Sequence, residues 1–243
     1  MKIIDAWPTK LATMDIELPQ EMREVLSRFL EGITNVHTYD TYNDVDNGKK
    51  LDDSVYNLFD YSHERYNKDD WLTKKALLYM KQYEKISSIV IRNYIKEAWN
   101  IEDNRDIRVR CFGNVQLTGG RRTVPHFHHG WDGVLAHYLT VGNEFESEQN
   151  SEYQNDPRDE KTSGEFLLLD PRPSIRMPIN EKAITFKPYV GFTLIHPAYL
   201  WHETETYTDK GLRVCLVINF NITTKNIEHL PTNLINLQNA DSN

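Results

Sequence analysis

Three histidines and one arginine hold the densest chemistry in this chain. Pro125-His126-Phe127-His128-His129 puts two imidazoles at positions i and i+2. In an extended strand those positions share a face about 7 Å apart, near enough for both rings to lean toward one metal ion. Such a pair is equally at home as surface or hydrogen-bonding histidine. A third imidazole, His202, follows Tyr199-Leu200-Trp201, and Arg213 lies eleven positions further on in Leu212-Arg213-Val214-Cys215. Between them Glu203–Gly211 reads as a polar turn. A hairpin folded near Tyr207 and Thr208 would set His202 almost opposite Arg213, with side chains about 5 Å apart. Arg213 shares its face with Cys215, Val217 and Asn219, away from Leu212 and Val214. A guanidinium turned inward is costly unless an anion pairs with it. That anion is either a bound carboxylate, which suits the two-pronged geometry, or a structural Asp or Glu.

These residues need strands to carry them, and the hydrophobic pattern supplies them. At Ile107 the apolar period changes from 3.6 to 2. Ile107, Val109, Cys111, Val115 and Leu117 alternate with Arg108, Arg110, Asn114 and Gln116. Further strands are expected at Arg122–His128, Val134–Val141, Gly164–Leu169, Ala183–Lys187, Phe192–His196 and Leu212–Asn221. Short strands separated by turn residues describe a sandwich or barrel, and no βαβ alternation argues for a doubly wound sheet. The first third is helical. One helix opens at Leu18-Pro19-Gln20-Glu21 and buries Met22, Val25, Leu26, Phe29 and Leu30, with Gly32 as its stop. Residues 36–70 read as loop. A second helix spans Trp71 to Trp99, carries Leu77, Met80, Ile86, Ile89, Ile91, Tyr94 and Ile95, and is expected to pack on a sheet. The predicted architecture is therefore mainly β with N-terminal helices in one domain. Residues 1–104 are helical support, 105–222 the β core and 223–243 a polar tail.

Composition narrows the function classes. The 243 residues hold 28 Lys+Arg against 36 Asp+Glu, a net charge of −8. This is unfavourable for counterion-driven nucleic-acid binding. No run of about 18 apolar residues exists to cross a membrane. The opening Met1–Trp7 lacks an apolar signal region, and two cysteines, Cys111 and Cys215, are too few for a disulfide framework. A cytoplasmic location follows as the expectation, in the host if the source is viral. Between Val141 and Glu165 eight acids face two bases, the pattern of a solvated loop. Arg105, Arg108, Arg110, Arg121 and Arg122 against Asp106 make a local surplus that either steers an anion or edges a solvated strand.

Taken together, these segments resemble the iron(II)/2-oxoglutarate-dependent dioxygenases. The closer resemblance is to oxygenases of phage and marine bacterial genomes that are related to prolyl hydroxylases. Asp5-Ala6-Trp7-Pro8-Thr9 is similar to that family's opening. Pro125–Gly130 resembles its His-x-His-Pro-Gly segment, and Leu135-Ala136-His137-Tyr138-Leu139 its next strand. Gly164–Arg172 resembles its Gly…Asp-Pro-Arg strand, and Gly191–Phe220 its closing segment. The resemblance implies a double-stranded β-helix, a jelly-roll or cupin-like barrel flanked by helices. It implies His126, His128 and His202 as ligands of iron(II), and Arg213 as the clamp on the distal carboxylate of 2-oxoglutarate. Cys215, Asn219 and Tyr138 would lie beside that cosubstrate. The reaction implied consumes O2, decarboxylates 2-oxoglutarate to succinate and hydroxylates a C–H bond of a small molecule, peptide or protein, prolyl or other amino-acid residues included.

One departure stands out. The wider superfamily uses two histidines and a carboxylate, and here the middle position is His128. Asp132 is the alternative carboxylate, four residues on. His129 faces away in a regular strand, and His196 stands where the family has an aromatic residue, as core or as a partner of the site. Arg172 and Arg176 are candidates for substrate contact. Two other readings stay open: a cupin-like three-histidine dioxygenase that does not use 2-oxoglutarate, and a non-catalytic β-sandwich binding protein. Neither substrate nor oligomeric state is legible.

Overall fold

The structure, a computed structural model, describes residues 9–46, 57–62, 66–101, 106–117, 123–142, 163–171 and 183–223. Trp7-Pro8, Arg105, Arg121, Arg122, Arg172, Arg176, the acidic stretch 143–162 and the tail from 224 lie outside the described residues. The elements run β1 (Ala12–Asp15), α1 (Gln20–Asp46), α2 (Trp71–Trp99), β2 (Asp106–Leu117), β3 (Thr123–His126), β4 (Gly133–Val141), β5 (Phe166–Leu169), β6 (Ala183–Phe186), β7 (Phe192–Pro197), β8 (His202–Thr204) and β9 (Leu212–Thr223). They form three layers. Two helices cover a five-stranded antiparallel sheet of order β1-β7-β4-β9-β2, and a four-stranded sheet of order β3-β8-β5-β6 faces its other side. This is a jelly-roll-like sandwich with helical backing.

Strand alternation sorts the large sheet into two faces. Leu135, Leu139, Ile195, Leu212, Val214, Leu216, Ile218 and Phe220 share a core with the helices. Ala136, Tyr138, Phe192, Leu194 and Cys215 share a second core with Phe166 and Leu168 of the small sheet. The period-2 pattern of β9 thus assigns even positions outward to the helices and odd positions inward to the second sheet. Gly133 allows the close approach at the start of β4, where a Cβ would sit 2.2 Å from the Phe220 ring.

The helical layer follows local rules with two departures. Asp70 caps α2 by accepting from the Thr73 amide at 2.7 Å, and Asn100 ends it in the left-handed region at φ 54°. Its buried stripe is Thr73, Ala76, Met80, Tyr83, Ser87, Ile91, Tyr94 and Ile95. Ile86 and Ile89, expected in that stripe, are exposed, because the 100° step per residue carries them off it. Gly32 does not end α1, which continues to Asp46, so residues 36–46 are helical rather than loop. A glycine inside a helix costs only about 1 kcal/mol relative to alanine and need not terminate it. Edge strand β1 has four residues, too few for its period to be read beforehand.

The largest correction concerns the closing segment. β7 and β9 are not a hairpin; they flank β4 on its two sides. After β7 the chain leaves the large sheet, forms β8 in the small sheet and returns as β9. The polar stretch after His202 is therefore a crossing between layers. His202 lies opposite His126 and Leu168, whereas Arg213 lies opposite Gln116 and Val141. The expected His202–Arg213 pairing on one ribbon does not exist.

Candidate metal centre

Strands β3 and β8 pair His126 directly with His202. His128 lies past the end of β3, held by its backbone N–H donating to the Ala198 carbonyl at 3.0 Å. The strand stops before the second histidine, so the shared-face rule does not place it; the Ala198 anchor does. One nitrogen from each of the three rings falls within 4.8 Å of the others. Ring centroids are 4.3 Å apart for His126–His202, 5.0 Å for His128–His202 and 5.3 Å for His126–His128.

Backbone carbonyls set the tautomers. His126 Nδ1 donates to the Val124 carbonyl at 2.8 Å, and His202 Nδ1 donates to the Leu200 carbonyl at 3.0 Å. A carbonyl can only accept, so both protons sit on Nδ1 and both Nε2 atoms offer lone pairs. His202 Nε2 lies 3.2 Å from His128 Nε2. Adjacent nitrogen ligands on an ion at about 2.0–2.1 Å stand about 3.0–3.4 Å apart, so the pair fits a shared metal. Burial, reinforced by neighbouring His196, lowers His202 to about 2. Burial and then neighbouring His126 lower His128 to about 4. These two rings are neutral at physiological pH, as metal ligation requires.

Among the described residues no carboxylate joins this group. Asp132 is exposed at the end of β9, where its Oδ2 accepts from the Ile222 amide at 2.8 Å. His129 is exposed beside Phe127, their rings 6.3 Å apart. His196 is fully buried on the inward face of β7, its ring 4.9 Å from that of His202. The aromatics that alternate with the ligands point outward. Phe127 and Trp201, 38% and 45% exposed, pack 5.0 Å apart just outside the group.

Arg213 occupies the facing sheet and is 2% exposed. It donates to Gln116 Oε1, to the Gly164 carbonyl at 2.8 Å and to the Tyr138 hydroxyl at 3.3 Å, and lies over the Tyr138 ring at 4.8 Å. All these partners are neutral, and among the described residues no carboxylate forms an ion pair with it. Cys215 pairs across from Tyr138 on the same inward face, its thiol pushed up to about 12 by burial. Burial raises the Tyr138 phenol as well. Asn219 is buried further along β9, beside His128. Of the arginine surplus, Arg108 lies over the Trp131 ring at 5.7 Å and Arg110 pairs across from Asn219.

The sequence reading missed Gln116 and Gly164. Gln116 alternates with the outward apolar set of β2, so its parity pointed inward. Only the β2–β9 register, invisible in one sequence, aims it at Arg213.

No family model matches the chain, and no curated protein does. Among solved structures the chain is similar to a 2OG-Fe(II) oxygenase family oxidoreductase from Burkholderia pseudomallei. That match has 15% identity and a TM-score of 0.35, and it covers 54% of this chain and 51%, about half, of that one. It is also similar to a Pseudomonas putida prolyl-4-hydroxylase, at 11% identity and a TM-score of 0.42, covering 88% of each chain. A third likeness is to a prolyl hydroxylase from Trichoplax adhaerens, solved with a peptide fragment of a hypoxia inducible factor oxygen degradation domain. There the identity is 12% and the TM-score 0.47, covering 86% of this chain and 82% of that one.

Proposed function

We propose that this protein is a non-haem iron(II)- and 2-oxoglutarate-dependent dioxygenase on a double-stranded β-helix, hydroxylating a C–H bond of a small molecule or a peptide. One observation carries the reading: a buried guanidinium that has no carboxylate partner among the described residues faces the same inter-sheet interior as three clustered imidazoles. A buried cation of this kind calls for an anion, and a dicarboxylate supplies one end to the metal and one to Arg213. His126, His128 and His202 hold the ion through ring nitrogens, two of them oriented by the Val124 and Leu200 carbonyls. Arg213 clamps the far carboxylate. Gln116, Tyr138 and the Gly164 carbonyl keep the guanidinium in place, while Cys215 and Asn219 line the wall between. When bound, iron(II) with its cosubstrate supplies the oxygen chemistry that side chains lack. Phe127 and Trp201 offer an aromatic surface to the substrate beside the ligands. Two buried free thiols, Cys111 and Cys215, suit a reducing cytoplasm.

The test is release of succinate and carbon dioxide from 2-oxoglutarate by the iron-loaded protein. Absence of both coupled and uncoupled turnover, with iron bound, overturns the proposal. The lack of a carboxylate in the metal group among the described residues favours a second reading, a three-histidine dioxygenase that does not use 2-oxoglutarate. That reading assigns Arg213 no role, and unchanged 2-oxoglutarate affinity in Arg213→Ala would select it.

A further inference from the structure

Asn219 on β9, Val134 on β4 and His196 on β7 are directly opposite one another and form a single rung of the large sheet. Opposite residues share a face, and this rung faces inward, its outer members about 10 Å apart. Asn219 is 5% exposed and His196 0%. Among the described residues each has one buried polar atom without a hydrogen bond of good geometry, His196 Nε2 and Asn219 Oδ1, the latter in looser reach of the His128 ring. Both atoms are acceptors. A carboxamide oxygen cannot donate. His196 Nδ1 lies 2.9 Å from the Pro197 carbonyl, so the proton is on Nδ1 and Nε2 is bare. The two acceptors flank the histidine group: Asn219 beside His128, His196 edge-on to His202.

Two orphaned acceptors call for donors. A bare cation is not one, but water on a cation is a strongly polarised donor. We propose that Asn219 and His196 are positioning residues that hold water on the ion bound by His126, His128 and His202, an assignment that rests on the metal-binding reading above. They take over the accepting half of the role a carboxylate plays in a two-histidine site, without its charge. Oriented partners of this kind typically change metal affinity by 10–100-fold.

The experiment is a manganese(II) titration of the full chain, following the electron paramagnetic resonance signal of the free ion. If the wild type binds no manganese, the metal reading itself fails. With wild-type binding established, Asn219→Leu and His196→Phe are expected to weaken it 10–100-fold. Asn219→Leu is not expected to lower the unfolding temperature of the metal-free protein, whereas His196→Phe also gives up the Nδ1 hydrogen bond to the Pro197 carbonyl and is expected to lower it modestly in addition to its effect on affinity. His196→Gln keeps an acceptor and is expected to recover most of the affinity. Affinities within twofold of wild type in both apolar variants overturn the assignment. Unchanged affinity with a lowered unfolding temperature also overturns it, because the lost stability then reports packing and the Pro197 hydrogen bond alone. Should one apolar variant fail to fold, the other decides by the same criterion. Higher water-proton relaxivity of bound manganese in His196→Phe would mean that the ring had been a ligand itself, and would overturn it too.

Discussion

Replacing Arg213 by methionine separates a guanidinium kept for a ligand from one kept for the fold. The change removes a charge that is 2% exposed and held, among the described residues, by Gln116, Tyr138 and the Gly164 carbonyl. It leaves three acceptors, Gln116 Oε1, the Gly164 carbonyl and the Tyr138 hydroxyl, to be re-satisfied, the hydroxyl free to turn to another partner. Each orphaned acceptor costs about 1–3 kcal/mol. Against this, an ion buried with no counter-charge among the described residues costs several kcal/mol, which the substitution relieves. The two effects nearly offset, so the ligand-free variant is expected to unfold within about 2 kcal/mol of wild type. The ligand response is expected to differ sharply. At 2-oxoglutarate about 100-fold above its Kd, binding adds about 2.7 kcal/mol to the metal-loaded wild type. For a domain of this size that is about 5–11 °C in Tm, and the variant is expected to show none of it. The assay is thermal unfolding of manganese-loaded protein with and without 2-oxoglutarate. An undiminished shift in Arg213→Met refutes the carboxylate clamp. Loss of 4 kcal/mol or more without ligand would make Arg213 a structural residue.

Three further outcomes follow from the geometry. His126→Ala, His128→Ala and His202→Ala are each expected to lose the roughly stoichiometric metal of the wild type, read by elemental analysis after dialysis against iron(II); full retention by all three would dismantle the group. Stability of the chelator-treated protein is expected to fall as pH drops below about 6.5. Burial holds His137 at about 3 and His196 at about 4, so from about 6.5 downward the unfolded chain takes up protons that the folded chain refuses. These two rings alone are worth about 4 kcal/mol between pH 7 and 5, and identical urea midpoints at the two pH values would contradict the burial. Gly133→Ala drives a Cβ to 2.2 Å from the Phe220 ring and is expected to cost about 2–3 kcal/mol in a thermal melt; a neutral change would mean that the ring moves freely.

Periodicity made much of this legible. The switch from 3.6 to 2 at Ile107 marks the start of the β core, and the odd positions of β9 give Arg213, Cys215 and Asn219 one face. What one sequence could not carry was pairing. A polar stretch between two apolar strands reads as a hairpin turn, and here it is a passage from one sheet to another, because His202 pairs with His126 rather than folding back on β9. The same gap hid Gln116, whose parity was visible but whose neighbour was not. Gly32 misled for a different reason: a modest local penalty was treated as a terminus, and α1 runs through it. His128 reached the group by an anchor on Ala198, a contact seventy positions distant that no local pattern encodes.

Because β8 carries His202 in one layer and β9 carries Arg213 in the other, the span between the imidazole cluster and the guanidinium is set by how the layers stack rather than by any single turn. A molecule that touches both ends acts as a rivet through the sandwich. If the proposed dicarboxylate spans the two layers, trimming the interlayer side chains Phe166, Leu168 or Val217 is expected to alter the length of diacid accepted.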